Sequence, residues 1–286
     1  MRVLPFVAAI ALLAGCAGPR VTAPPAGLDP FYTRSLDAGG IPISSSAAVP
    51  DEALRAARSI VVEMLARRPD LRRALVAGGQ RVAVMGVEEQ TLDLPEQRDW
   101  KKPTRDDPRL TTCERKLYDE QIGRMTDREY WNSRARGMGG LLTSGATENL
   151  LGQPGTRYYG ENIFVHEFSH AILGAAETAD PAFYRAVAAA YDEAMKRGLW
   201  KGEYGATTVD EYWAEGTQFW FESNRLAVID GRRILSAADL AAYDPALATL
   251  LRRVYGDRHH LSADVFWRHP ARVPTGGPPA STAETC

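Results

Sequence analysis

Histidine and cysteine are scarce in this chain, with five of the first and three of the second in 286 residues. Three cysteines allow at most one internal disulfide. Charge of one sign is also missing: 34 basic residues against 36 acidic ones leave a formal net charge of -2, which gives no electrostatic reason for nucleic acid as a partner. No apolar run approaches the roughly 20 residues that a membrane-spanning helix needs. There is no internal repeat, and the glycine-rich stretch from Gly137 to Gly155 lacks the Gly-Lys-Ser/Thr ending of a phosphate-binding loop, so it reads as loop, turn or edge strand. What is present, 45% hydrophobic and 24% charged residues, is the composition of one large or two small globular domains rather than a disordered chain.

The amino terminus reads as an export signal. Arg2 precedes an apolar run, Val3 to Leu13, that is too short to cross a bilayer. Leu13-Ala14-Gly15-Cys16 resembles a bacterial lipobox, which implies removal of residues 1–15 and lipid on Cys16, hence a protein anchored to a membrane rather than spanning it. Residues 16–50 are rich in Pro, Ala, Gly and Ser, as in a tether, although Phe31-Tyr32 and Ile41-Pro42-Ile43 could dock on a domain. An exported compartment permits a disulfide, for which Cys113 and Cys286 are left if Cys16 carries lipid; two free thiols are the alternative.

Apolar periodicity then predicts helices over 51–68 and 70–76, a strand over 81–87, and a charged, proline-interrupted surface loop over 94–109. Helices dominate after that, over 161–174, 181–198, 209–222 and 236–256 with a break at Pro245. Asp180 suits an N-cap before Pro181, and Gly198 suits a left-handed helix end. The domain is placed at 51–272, with a loose tail over 273–286.

The most informative segment is His166-Glu167-Phe168-Ser169-His170. On a helix, side chains four residues apart lie about 40° apart on one face, close enough for both imidazoles to share a zinc ion. The Glu after the first His can then act as general base on a water that the ion holds. Phe164, Val165, Phe168, Ala171 and Ile172 make this a core helix, and buried histidines need partners. A catalytic zinc also needs a third protein ligand. Positions 173 and 176 are Leu and Ala, so no third His follows at metzincin spacing, and His259, His260 and His269 lie in polar sequence of surface character. A carboxylate is the better candidate. Glu211 and Glu215 stand one turn apart among Tyr212, Trp213, Phe219 and Trp220, where burial would be costly unless they are paired or bind metal. If Glu211 is the ligand, Glu215 can accept a hydrogen bond from a ligand imidazole.

The pairing of Phe164-Val165-His166-Glu167-Phe168-Ser169-His170-Ala171 with Tyr204-Gly205-Ala206-Thr207-Thr208-Val209-Asp210-Glu211-Tyr212-Trp213-Ala214-Glu215 resembles the catalytic domain of anthrax lethal factor and its relatives, zinc metallopeptidases of the gluzincin group. The resemblance covers roughly residues 155–225, with Ser169 where a Gly is usual, and does not extend to the N-terminal half. It implies an α+β, zincin-like fold, mainly helical with a small sheet. It further implies Zn2+ held by His166, His170 and Glu211, with Glu167 as base, Tyr204 as oxyanion donor and Glu215 supporting a ligand. The expected activity is hydrolysis of peptide bonds in the bacterial envelope, on the periplasmic or cell-surface side, with a peptide or protein as substrate. A non-proteolytic zinc-binding lipoprotein and a zinc amidase acting on cell-wall material stand as the alternatives.

Overall fold

The computed structural model describes residues 19–108 and 110–277. The readings of residues 1–15, of Cys16 and Cys286, and of the tail beyond 277 lie outside them. Among the described residues no helix is long and apolar enough to cross a membrane.

The chain is α+β, mainly helical with a small mixed sheet. Its elements are β1 (Arg34–Asp37), β2 (Pro42–Ser45), α1 (Asp51–Met64), α2 (Pro69–Ala77), β3 (Arg81–Met85), α3 (Thr112–Lys116), α4 (Tyr118–Gln121), α5 (Asp127–Arg134), β4 (Leu142–Ala146) and α6 (Thr147–Leu150). The C-terminal half adds α7 (Ile163–Ala179), α8 (Pro181–Lys196), α9 (Val209–Trp220), β5 (Ala227–Ile229), β6 (Arg232–Ile234), α10 (Ala237–Tyr243) and α11 (Pro245–Tyr255). The sheet order is β1-β2-β3-β4, antiparallel at β1–β2 and parallel at the other two pairings. Beyond β4, Met138 pairs antiparallel with Ser144, so the Gly137–Gly140 segment lies along that edge.

Two expectations meet a different chain course. The expected tether, 16–50, is ordered in its second half, where β1 and β2 enter the sheet and Ile41, Ile43 and Val49 are fully buried. Four-residue strands with Ser at three of their eight positions carry little apolar alternation, so composition outweighed pattern there. The described residues of the loop over 94–109 contain no helix or strand, but α3, α4 and α5 follow it and close a small separate core of Leu92, Leu110, Ile122, Tyr130 and Trp131. Each spans eight residues or fewer, too short for an apolar period; their legible signal is two capping boxes, Thr111 with Glu114 and Thr126 with Glu129. Cys113, on α3, is disulfide-bonded, and the other two cysteines lie outside the described residues.

The main core lies between the sheet and α1, α2 and α7, and continues through α9 into α8 and α11. Helix α7 runs through its middle: Phe164, Phe168 and Ile172 are fully buried on it, in one cluster with Val82 and Val84 of β3 and Leu54 and Val61 of α1. Asp180 accepts from Phe183 N at the start of α8, and Gly198 has φ +74°, as their caps predict.

The start of α7 is fastened by polar groups without solvent access. Asn162 caps it, accepting from Val165 N at 3.3 Å, and donates from Nδ2 to Asp264 Oδ1 at 2.9 Å. Phe266 N donates to the same Asp264 oxygen, while Oδ2 has no hydrogen-bond partner among the described residues. Burial therefore pushes the Asp264 carboxyl up to about 6, against the lowering effect of its hydrogen bonds and Arg272. A carboxyl raised on folding favours the protonated native state, so its contribution is complete below the unfolded value and is lost as pH rises through about 6. Asp264→Asn keeps the Oδ1 acceptor and removes the charge. Its stability relative to wild type is expected to improve by about 2–3 kcal/mol between pH 4 and pH 7. Urea unfolding at both pH values measures this, and a difference independent of pH contradicts it.

Candidate metal centre

Helices α7 and α9 pack face to face, each apolar around most of its circumference. Along their contact runs one polar stripe. His166 and His170 supply it from α7; Glu211, Glu215 and Gln218 supply it from α9, where steps of four and three residues keep all three on one face. Asn162 fixes the start of α7, and Thr208 fixes α9 by accepting from Glu211 N at 3.2 Å. Glu211 thus lies in the first turn of α9, where the helix dipole favours its negative charge.

His166, His170 and Glu211 each present one ligand atom within 4.8 Å of the others. His166 Nε2 is 2.9 Å and His170 Nε2 is 3.5 Å from the same oxygen, Glu211 Oε2. The two rings stand 4.9 Å apart at 76°, so their nitrogens converge rather than stack. Tyr204 donates from its hydroxyl to the other oxygen, Glu211 Oε1, at 3.0 Å. It is carried by a 3-10 turn, Tyr204–Ala206, whose Gly205 rests on the Trp200 ring: a Cβ there would meet Trp200 Cε3 at 2.9 Å. Trp200 is itself buried with φ +60° and is held by Tyr243 Oη and Asp244 Oδ2.

Glu167 lies on the adjoining face of α7, where the backbone N–H of Gly139 acts to lower its pKa. The strap over β4 that carries Gly139 approaches α7 closely. A Cβ on Gly139 would stand 2.8 Å from His170 Cδ2, and one on Gly137 would stand 3.1 Å from Glu167 Cγ. The strap therefore forms one wall of the site, and it requires glycine at these two positions for lack of space.

Glu215 departs from expectation. Its Oε1 is 3.6 Å from His166 Nδ1, beyond hydrogen-bonding distance, and its Oε2 accepts from Asn224 Nδ2 at 2.8 Å. The nearer acceptor is Gln218 Oε1, at 3.0 Å from His166 Nδ1. Gln218 was legible as the next residue on the Glu211–Glu215 stripe, but an amide among aromatics carries no motif. Arg134 also has no sequence signal. Paired with Glu114 and lying over the Tyr130 ring, it lowers the pKa values of Glu167 and Tyr204 through its charge. His259, His260 and His269 are elsewhere, edge-on to Trp220, stacked on Trp267, and capping the turn at Pro270, respectively.

The electrostatics are those of a cation site. Burial opposes charge on His166, but the Glu211 hydrogen bond and the charges of Glu211, Glu167 and Glu215 outweigh it and push the imidazole up to about 10. Burial would raise Glu211, yet His166 and His170 hold it down to about 2. Burial lowers His170 to about 4 and lifts Glu167 and Glu215 to about 7 each. Burial and the Glu211 charge push Tyr204 far above its usual range, so it stays a phenol and a donor. The proton between His166 Nε2 and Glu211 Oε2 occupies the point on which the donor atoms converge. Two imidazole nitrogens and one carboxylate fit zinc, which takes such mixed N and O ligands with one position left open.

No protein-family profile matches the chain, and no curated protein is similar to it. Among solved structures it is similar to the Pro-Pro endopeptidase PPEP-2 from Paenibacillus alvei. The identity is 14% over 70% of this chain and 90% of that one, with a TM-score of 0.40. Likeness at that level assigns neither fold family nor activity.

Gly139 of the strap and Gly174 of α7 make a testable pair. Gly139→Ala forces a methyl group against His170 and is expected to destabilise the protein by about 1–3 kcal/mol. Gly174→Ala, on α7 with nothing within 4 Å of the added atom, is expected to stabilise it by about 0.5–1 kcal/mol. Urea midpoints decide; equal effects of the two substitutions would contradict the close approach.

Proposed function

We propose that the chain is a zinc metallopeptidase of zincin-like fold and gluzincin type, exported and lipid-anchored through Cys16, that hydrolyses peptide bonds in the bacterial envelope. One observation carries the reading: His166, His170 and Glu211 converge on one point, with Glu167 and Tyr204 beside it.

His166 Nε2, His170 Nε2 and a Glu211 oxygen would hold the ion. When bound, zinc supplies Lewis acidity, polarising a carbonyl and making a water acidic. Glu167 takes the proton of the attacking water on its carboxylate and returns it to the leaving amine, the general base and acid of the reaction. The Gly139 N–H favours the charged carboxylate, the form that accepts the proton. Tyr204, kept protonated by burial and already within donor reach of the ligand set, donates to the oxyanion that develops on the scissile carbonyl. Trp200 and Gly205 hold that phenol in place, and the strap shields the Glu167 side of the site.

Metal analysis with peptide-library cleavage tests the proposal. Wild type is expected to carry one zinc, to cleave peptides, and to lose cleavage on chelation with recovery on added zinc. Glu167→Gln is expected to keep the metal and lose at least about 10²–10⁴-fold in rate. Cleavage that persists without zinc, or that Glu167→Gln leaves unchanged, contradicts the proposal. Activity confined to cell-wall fragments would reassign it to an amidase.

A further inference from the structure

We infer that Gln218 is a positioning residue that fixes the tautomer and ring orientation of His166, under the direction of the Asn162 backbone carbonyl; the inference rests on the metal-site reading above. Gln218 is buried, with its amide between two partners: Nε2 is 3.0 Å from Asn162 O, and Oε1 is 3.0 Å from His166 Nδ1. The two ends of a side-chain amide look alike in shape, so chemistry has to assign them. A backbone carbonyl has no proton to give. Only the NH2 end can face Asn162 O, since the reverse would bury two acceptors against each other.

The oxygen of Gln218 must then face His166, and Nδ1 must be the donor. This holds whether the ring is charged or neutral, so the nitrogen left with a free lone pair in the neutral ring is Nε2. Nε2 is the atom that faces Glu211 and lies on the His170 side. One carbonyl thereby selects the tautomer that can bind a metal. The carbonyl itself cannot turn, because the other polar atoms of Asn162 are engaged: N donates to Ser223 O at 2.8 Å, Oδ1 accepts from Val165 N, and Nδ2 donates to Asp264. Ser223 N in turn donates to Gln218 O at 2.9 Å, closing the loop between the two helices. An amide suits this position better than a carboxylate, which would set a second acceptor against Asn162 O.

Two substitutions separate positioning from bulk structure. Gln218→Met keeps the length and removes both hydrogen bonds. Gln218→Glu keeps an acceptor for Nδ1–H but loses the donor to Asn162 O. Zinc Kd, measured by competition with a chromophoric chelator, and Tm of the metal-free protein are the two readouts. Gln218→Met is expected to weaken zinc binding about 10–100-fold, while Gln218→Glu stays within about threefold of wild type despite a lowered Tm. Equal zinc affinity in Gln218→Met and wild type, or equal weakening in the two variants, overturns the inference alone. A wild-type protein that binds no zinc overturns the metal-site reading and this inference with it.

Discussion

The contact between α7 and α9 buries imidazoles and carboxylates inside an otherwise apolar interface, and the rest of the structure answers to that constraint. Buried charges are tolerated only when paired and hydrogen-bonded or when they bind a metal. Here the stripe carries Glu211 and Glu215 from one helix, His166 and His170 from the other, and Glu167 just beside it. Positive charge on His166 partly balances the carboxylates in the metal-free protein, and a divalent cation at the same point would do so more completely. The aromatic mass around α9, including Tyr212, Trp213, Phe219 and Trp220, isolates the stripe from water and strengthens each interaction in it.

Each member of the centre is held by a different device. His166 is oriented by a hydrogen-bond chain that ends on the cap of its own helix. Among the described residues no such bond reaches His170, whose ring is confined by the backbone of Gly139 instead. Glu211 is fixed at both ends, its backbone by the Thr208 cap and its carboxylate by Tyr204 and His166. Rigid elements thus carry the donor atoms, while a strap and a 3-10 turn bring the base and the phenol their support. Such division suits a site that has to be fixed before substrate arrives.

Much of the helical half was legible in sequence because its periods are long and its ends carry ordinary caps: Asp180 before Pro181, Gly198 after Arg197, Pro245 at the start of α11. The motif helix was legible for a second reason, since two histidines at i and i+4 have few other uses in an apolar frame. The convergence of Glu211 and Tyr204 on those histidines followed from resemblance, and the structure brings all four residues together. Pairwise tertiary facts were not legible. That Gln218 rather than Glu215 reaches His166 depends on less than 1 Å of separation between two candidates on one stripe. That Gly139 covers His170 depends on a chain crossing whose only sequence trace is the absence of a side chain. Strands β1 and β2 escaped notice because each has four residues of mixed polarity, and β2 is joined to the rest of the sheet by parallel pairing with β3, about 40 residues along the chain.

The central claim is that these three side chains form one metal site. Anomalous scattering at the zinc edge, from crystals grown with one equivalent of zinc, tests it most directly. The account predicts a single ion with His166 Nε2, His170 Nε2 and a Glu211 oxygen at about 2.0–2.2 Å. Zinc bound elsewhere, or a site in which Glu211 stays on Tyr204 and the ion takes other ligands, would contradict it.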